Sequence, residues 1–280
     1  MLFDSHAHIN YDTYTQEERD ELIREIAASD LSYVMDVGYD LPSSQMAVKD
    51  ARENDWCYAA VGVHPHDTGT MTEEILSAIG DLARQDKVKA IGEIGLDFHY
   101  DNSPRDVQEY WFRHQIRLAN ELSMPIVIHS READQKTMDI LKEEGAFSQE
   151  RIDKFPKRKV LSDDGSVTEE NDARVLLHCF SGSSELGRQY IRLGATLSVA
   201  GPVTYKNNRK TVEVVHDIPI GYLLAETDSP YLTPVPFRGK PNKPTYVEYT
   251  VRKVAEIKKI PYEKAAEITA ENARRFFDIK

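Results

Sequence analysis

Nine histidines occur in the sequence, and six of them, His6, His8, His64, His66, His129 and His178, stand at or just after short apolar runs rich in Val and Ile. Two His-x-His pairs are present, His6/His8 and His64/His66, where composition alone predicts about 0.3. Successive strand residues face opposite ways, so His6 and His8 project together, and two imidazoles at one strand end can share a metal ion. Carboxylates accompany them: Glu93 ends a run in Ile91-Gly92-Glu93-Ile94-Gly95-Leu96-Asp97, and Asp228 follows another in Glu226-Thr227-Asp228-Ser229-Pro230. Asp4, Asp97 and Glu226 read either as partners that orient imidazoles and ligating carboxylates or as structural acceptors. His99, His114 and His216 fall in loop or helix and read as surface residues.

Eight apolar runs could position these groups: Leu2–Asp4, Tyr33–Val37, Tyr58–Val63, Ala90–Ile94, Pro125–Ile128, Arg174–Leu177, Ala195–Val199 and Tyr222–Ala225. Helical segments separate them. Thr15 with Glu18 and Thr70 with Glu73 form capping-box patterns, and Ser103-Pro104 places a cap before a proline at the first helical position. Alternating strands and helices call for parallel strands joined by right-handed crossovers, in a sheet covered on both sides. Eight repeats in 280 residues favour an α/β architecture of the (β/α)8 TIM-barrel type, one domain spanning 1–280, with a doubly wound open sheet as the alternative. Two extra C-terminal helices, near Thr245–Lys258 and Tyr262–Phe277, are expected to pack on the barrel wall. Residues 145–172 exceed a normal helix-to-strand link and read as a loop insertion. Its first half carries Arg151, Lys154, Lys157, Arg158 and Lys159, and its second half, from Asp163-Asp164 to Asp172, is acidic. It reads as a solvated, partly disordered excursion, or as one whose basic half touches a polyanion.

If the strands close, their C-terminal ends bring His6, His8, Glu93, His129, His178 and Asp228 into one pocket. Six donors exceed one tetrahedral ion, and two divalent cations sharing a carboxylate, about 3.5 to 4 Å apart, accommodate them. Imidazoles suit Zn, Mn, Fe, Ni or Co, while the carboxylates keep Mg open.

Composition limits what such a site acts upon. The chain has 35 basic and 47 acidic side chains, a net charge of −12. That opposes a sequence-independent grip on phosphate backbones, so bound cations would have to assist any nucleic-acid chemistry. Neither an export signal nor an 18-residue apolar run is evident, and no obligate protein partner is indicated, so a cytoplasmic protein is expected. Cys57 and Cys179 sit in apolar runs and read as reduced, buried thiols.

Several segments together resemble the TatD family of metal-dependent deoxyribonucleases, among the amidohydrolase-like barrels. They are Phe3-Asp4-Ser5-His6-Ala7-His8, Gly62-Val63-His64-Pro65-His66, Gly92-Glu93-Ile94-Gly95-Leu96-Asp97, His129-Ser130-Arg131, His178-Cys179-Phe180-Ser181-Gly182 and Glu226-Thr227-Asp228-Ser229-Pro230-Tyr231-Leu232. Arg238-Gly239-Lys240-Pro241-Asn242-Lys243-Pro244 and Asn272-Ala273-Arg274-Arg275-Phe276 add to the likeness. The resemblance implies that His6, His8 and Asp228 bind one metal, His129 and His178 a second, and Glu93 both. The departure is the long spacing from His129 to His178, which places the excess in the insertion.

The leading expectation is two-metal hydrolysis of phosphodiesters in single-stranded or short DNA. Asp228 is the expected general base. His64 is expected to donate a hydrogen bond to a phosphate oxygen, or else to be structural. Arg131 and Arg238 are candidate phosphate clamps or surface ion-pair partners, and Tyr231 stacks on a base or merely packs. A metal-dependent ester or amide hydrolase, such as an aminoacyl-tRNA deacylase, is the alternative. Related barrels that cleave amides commonly bridge their ions with a carbamylated lysine, and no Lys stands at the Glu93 strand end. A binding module with structural metals is a third reading, disfavoured by the Cys-poor donor set.

Overall fold

The computed structural model describes residues 1–162 and 165–280. Eight parallel strands form one sheet: β1 (Leu2–Ala7), β2 (Leu31–Val37), β3 (Cys57–Val61), β4 (Val88–Asp97), β5 (Ile126–Arg131), β8 (Val175–Leu177), β9 (Thr196–Val199) and β10 (Leu223–Ala225). Their spatial order follows the chain. The ring closes between first and last strands, where His8 N–H donates to Ser229 O and Asp228 N–H to His6 O, both at 2.9 Å. Closure excludes the open doubly wound sheet. The closing bonds also fasten His6 to Asp228 and His8 to Ser229, so the seam of the barrel runs through the site.

Helices α1 (Gln16–Ala27), α2 (Leu41–Glu53), α3 (Glu73–Ala83), α4 (Arg105–Leu122), α5 (Asp134–Glu143), α7 (Ser184–Arg192) and α8 (Arg209–Asp217) cross over between strands. Thr15 and Glu18 form the expected capping box on α1. At α3 the cap is Thr72, which accepts from Ile75 N–H at 3.3 Å, whereas Thr70 bonds Asp67 O in the preceding turn. The spacing rule failed there because two threonines compete, and the one adjoining the helix wins. Helix α4 begins at Arg105 with Pro104 in the cap position and no side-chain cap; the Ser103 hydroxyl instead bonds His66 O and Gly69 N–H.

Strand alternation explains how the core and the site share the same strands. Val127, Leu176 and Leu224 belong to the inner core with Phe3, Met35, Ala60 and Ala90. Two residues further on, each strand delivers His129, His178 or Glu226 to the C-terminal mouth. Phe276, Phe277 and Ile279 join that inner core from below. Of the two extra helices, α9 (Val247–Lys258) packs outside as expected, but α10 (Tyr262–Phe276) does more than line the wall. Its end plugs the barrel floor with two fully buried phenylalanines.

Among its described residues, the 145–172 segment holds regular structure. It contains the short α6 (Gln149–Ile152) and a hairpin of β6 (Arg158–Leu161) and β7 (Val167–Glu170). Its acidic pair Asp163-Asp164 lies outside the described residues. Arg151 and Arg158 are buried: Arg151 donates to Ala173 O, Met124 O and Asn120 Oδ1, and Arg158 to Ala195 O. These carbonyls precede β5, β8 and β9, so the two arginines brace the floor, away from the mouth, and contribute nothing to a ligand surface there. Two of its cations thus tie the long excursion to the strand starts.

Candidate active site

Glu93 stands at the centre, 3% exposed. Its Oε2 lies 3.3 Å from His6 Nε2 and 3.8 Å from His8 Nε2, and those imidazoles lie 3.9 and 3.6 Å from Asp228 Oδ1. Its Oε1 lies 2.7 Å from His129 Nδ1, 2.8 Å from His178 Nε2 and 3.5 Å from His64 Nε2. One carboxylate thus faces two separate hollows. Gly95 makes the approach of β4 and β5 possible here: a Cβ at that position, whose φ is +149°, would stand 1.9 Å from His129 O.

Neighbouring groups orient the imidazoles. His8 donates from Nδ1 to Val37 O at 2.8 Å, His129 Nε2 faces Asp97 Oδ2 at 3.2 Å, and His178 Nδ1 faces Glu226 Oε1 at 3.3 Å. Each therefore turns its other nitrogen toward a hollow, where it can offer a lone pair once it has given up its proton. His64 is held the opposite way, because its Nδ1 accepts from His66 N–H at 3.1 Å. Its proton must sit on Nε2, which points at Glu93. Burial, helped by the nearby His129, His66 and His178, holds His64 well below the usual imidazole pKa, so it is a neutral donor.

The electrostatics fit divalent cations. Burial pushes the Glu93 carboxyl up, but the His178 charge and bonds from His129 and His178 leave it well below the ordinary range. Asp228 is lowered likewise: burial is outweighed by His8, His178 and His6. His178 is raised well above the usual value despite burial, by Glu93 and Glu226, and His129 is raised by Asp97 and Glu93. Such protons are what a cation displaces. His6 is fully buried, stacks on His178 with ring centroids 4.0 Å apart, and has no hydrogen-bond partner on either nitrogen. An unpartnered buried imidazole is costly, and a metal ion in the first hollow would supply the missing partner.

The sequence-derived candidates do not all converge. His6, His8, Glu93, His129, His178, Asp228 and His64 meet within the cluster. Asp97 and Glu226 orient histidines, while Asp4 accepts from Thr227 N–H and Oγ1 and serves the backbone beside Asp228. Arg131 is exposed at the rim, 4.7 Å over the Tyr100 ring, and Tyr231 is half exposed at the mouth, edge-on to His8 and Tyr11. Arg238 lies further out, against Tyr205. Cys57 is buried as expected, but Cys179 lines the cleft and is only partly buried. His66, to which its strand-end position alone assigns no role, pairs with Asp97 at 2.9 Å. Asp36, which accepts from Ile9 N–H and Asn10 Nδ2 just past His8, had not been singled out; a lone acid inside an apolar strand was its only signal.

The cluster opens into a cleft of about 870 Å³. The TatD related DNase family profile matches residues 3–278. The chain belongs to the TatD-related DNase family. Among relatives of this metal-dependent hydrolase, the "uncharacterized metal-dependent hydrolase YabD" of Bacillus subtilis is 44% identical, covering all of both chains. The "3'-5' ssDNA/RNA exonuclease TatD" of Cronobacter sakazakii is 32% identical over 85% of this chain and 84% of its own. Among solved structures, the TatD homolog YjjV of Escherichia coli superposes with a TM-score of 0.83 at 24% identity, over 100% of this chain and 98% of that one, which shows the shared fold.

Proposed function

We propose that the chain hydrolyses phosphodiester bonds in single-stranded or short DNA, with one divalent ion held by His6, His8, Asp228 and Glu93 and a second by His129, His178 and Glu93. The observation that carries this reading is the division of Glu93, one oxygen toward each donor set. Bound there, two cations supply the charge that brings the pKa of water toward neutrality and offsets the phosphate. Four imidazoles among the donors suit Zn, Mn, Fe, Co or Ni.

The protein's own groups do the rest. Asp228 is the most open of the two central carboxylates, its side chain 15% exposed against 4% for Glu93, and it remains ionised, so it accepts the proton of the attacking water. His64 presents Nε2–H to a phosphate oxygen, because its other nitrogen is committed to the His66 amide. Arg131 and Tyr231 stand at the mouth where a phosphate clamp and a base platform are needed. The named activity of the Cronobacter relative, and a cleft with no lysine among its described lining residues, favour phosphodiesters over amides. A cytoplasmic site of action is part of the same proposal.

A fluorescent single-stranded oligonucleotide, incubated with wild type and Glu93→Ala under chelator or added Mn or Mg, tests the reading. Cleavage by wild type only with metal, and at least about a hundredfold less by the variant, is the expected result. Equal cleavage by both proteins, or none by wild type with any metal, overturns it.

A further inference from the structure

The rim of the cleft is electrically lopsided. Over β9 and β10, residues 201–212 and 229–247 contain no Asp or Glu but carry Lys206, Arg209, Lys210, Arg238, Lys240 and Lys243. Lys243 is engaged by Glu25 at 2.6 Å, while the other five are exposed and none forms an ion pair among the described residues. In a chain of net charge −12, five cations on one quadrant without an ion pair among the described residues are a local reversal of sign. The wall over β1 to β3, which adjoins this quadrant where the ring closes, presents Asp12 and Asp67 to the cleft, with Asp40 beside them.

The basic quadrant also has shape. The Arg238 guanidinium lies 4.1 Å from the centroid of the Tyr205 ring, and Tyr205 is anchored by its hydroxyl to Thr233 O at 3.0 Å. With Lys206, Asn207 and Asn208 they line a hollow of about 360 Å³, and Asn208 lines the catalytic cleft as well. A flat cation-aromatic pair within a ring of cations is the combination that binds single strands, through stacking and phosphate contacts.

We propose that a single strand held at Glu93 leaves the cleft over this quadrant alone, with its phosphates on Lys206, Arg209, Lys210 and Lys240 and a base stacked on the Arg238–Tyr205 pair. This rests on the phosphodiesterase reading above. Phosphates are repelled from the Asp12 and Asp67 side, so added chain length improves binding in one direction only. It also gives Arg238, which lines the neighbouring hollow and is not among the residues lining the catalytic cleft, a hold on a later part of the strand.

The test compares a dinucleotide with a single strand of about 12 nucleotides, a length within known single-strand site sizes. It uses full-length wild type, Lys206→Glu/Lys210→Glu and Lys206→Arg/Lys210→Arg, with metal. For the charge-reversed protein KM on the long strand is expected to rise about tenfold or more, with kcat within about twofold. The slope of log KM against log salt is expected to fall by about 0.7 per lost contact. Dinucleotide turnover stays unchanged, and the arginine variant retains wild-type behaviour. Unchanged KM and salt slope on the long strand, or an equal loss on the dinucleotide, overturns the strand path while leaving the nuclease reading intact. No turnover of either substrate by wild type overturns both.

Discussion

Both ends of this barrel bury charge, and they hold it in different ways. At the floor, Arg151, Arg158 and Arg174 are 2% exposed or less. Their guanidinium groups donate to carbonyls of Met124, Ala173, Ala195 and Phe276, and Arg174 Nε lies 3.3 Å from Asp172 Oδ2. At the mouth, His6, His8, His129, His178, Glu93 and Asp228 face mainly one another. Cations on fixed side chains find most of their partners among backbone oxygens of the chain, although Arg158 Nε and Arg174 Nε have no hydrogen-bond partner among the described residues. The donors at the mouth converge on one another and could be shared by a bound cation. The same fold thus has an end braced mainly by its own backbone and an end whose donors fit an added ion.

That contrast predicts separable losses. Phe276→Ala, which empties the floor plug, is expected to destabilise the protein by about 3–5 kcal/mol, read as a lower midpoint in denaturant with metal content and kcat retained on the folded fraction. Coincident loss of metal would break the separation of the two ends. At the mouth, His64→Ala is expected to lower kcat by about a hundredfold to a thousandfold, the cost of removing one transition-state donor, while two ions per chain remain by elemental analysis. A drop to one ion would make His64 a ligand instead. Glu226→Gln removes the carboxylate facing His178 Nδ1 and is expected to weaken metal binding about ten- to a hundredfold. Unaltered affinity in a competition titration would reduce Glu226 to the backbone acceptor of Cys179 N–H.

Acidification gives the smallest and most graded effect. His129 and His178 have raised pKa values in the ion-free protein, so each binds a proton that a metal must displace. Metal affinity is therefore full above those pKa values and falls as pH drops through them, by about tenfold per pH unit for each displaced proton. Calorimetric titrations between about pH 8 and pH 6 check this; pH-independent affinity would mean that these rings are not ligands.

Much of the site was legible because strand alternation is local. The residue types at positions 6, 8, 93, 129, 178 and 228 and the apolar runs before them suffice to place donors at strand ends. The cap of α3 was misplaced because two threonines satisfy similar spacing, and the insertion was underestimated because nothing local shows that Arg151 and Arg158 meet carbonyls of distant strands. The plug formed by Phe276 and Phe277 was likewise invisible: an amphipathic helix looks the same whether it lies on a wall or closes a floor.

The sequence by itself determined the donor inventory, the eight-fold alternation and the acidic balance, since these depend on residue type and on neighbours a few positions away. Only the tertiary structure decided that the ring closes through His6 and Asp228, that Glu93 divides between two hollows, and which nitrogen each histidine turns inward. It also gathered the cations of two separate loops on one rim. The reason is range: Val37, Asp97 and Glu226 set the ring orientations from 29 to 48 residues away, and a hydrogen bond over that distance in sequence exists only once the chain has folded.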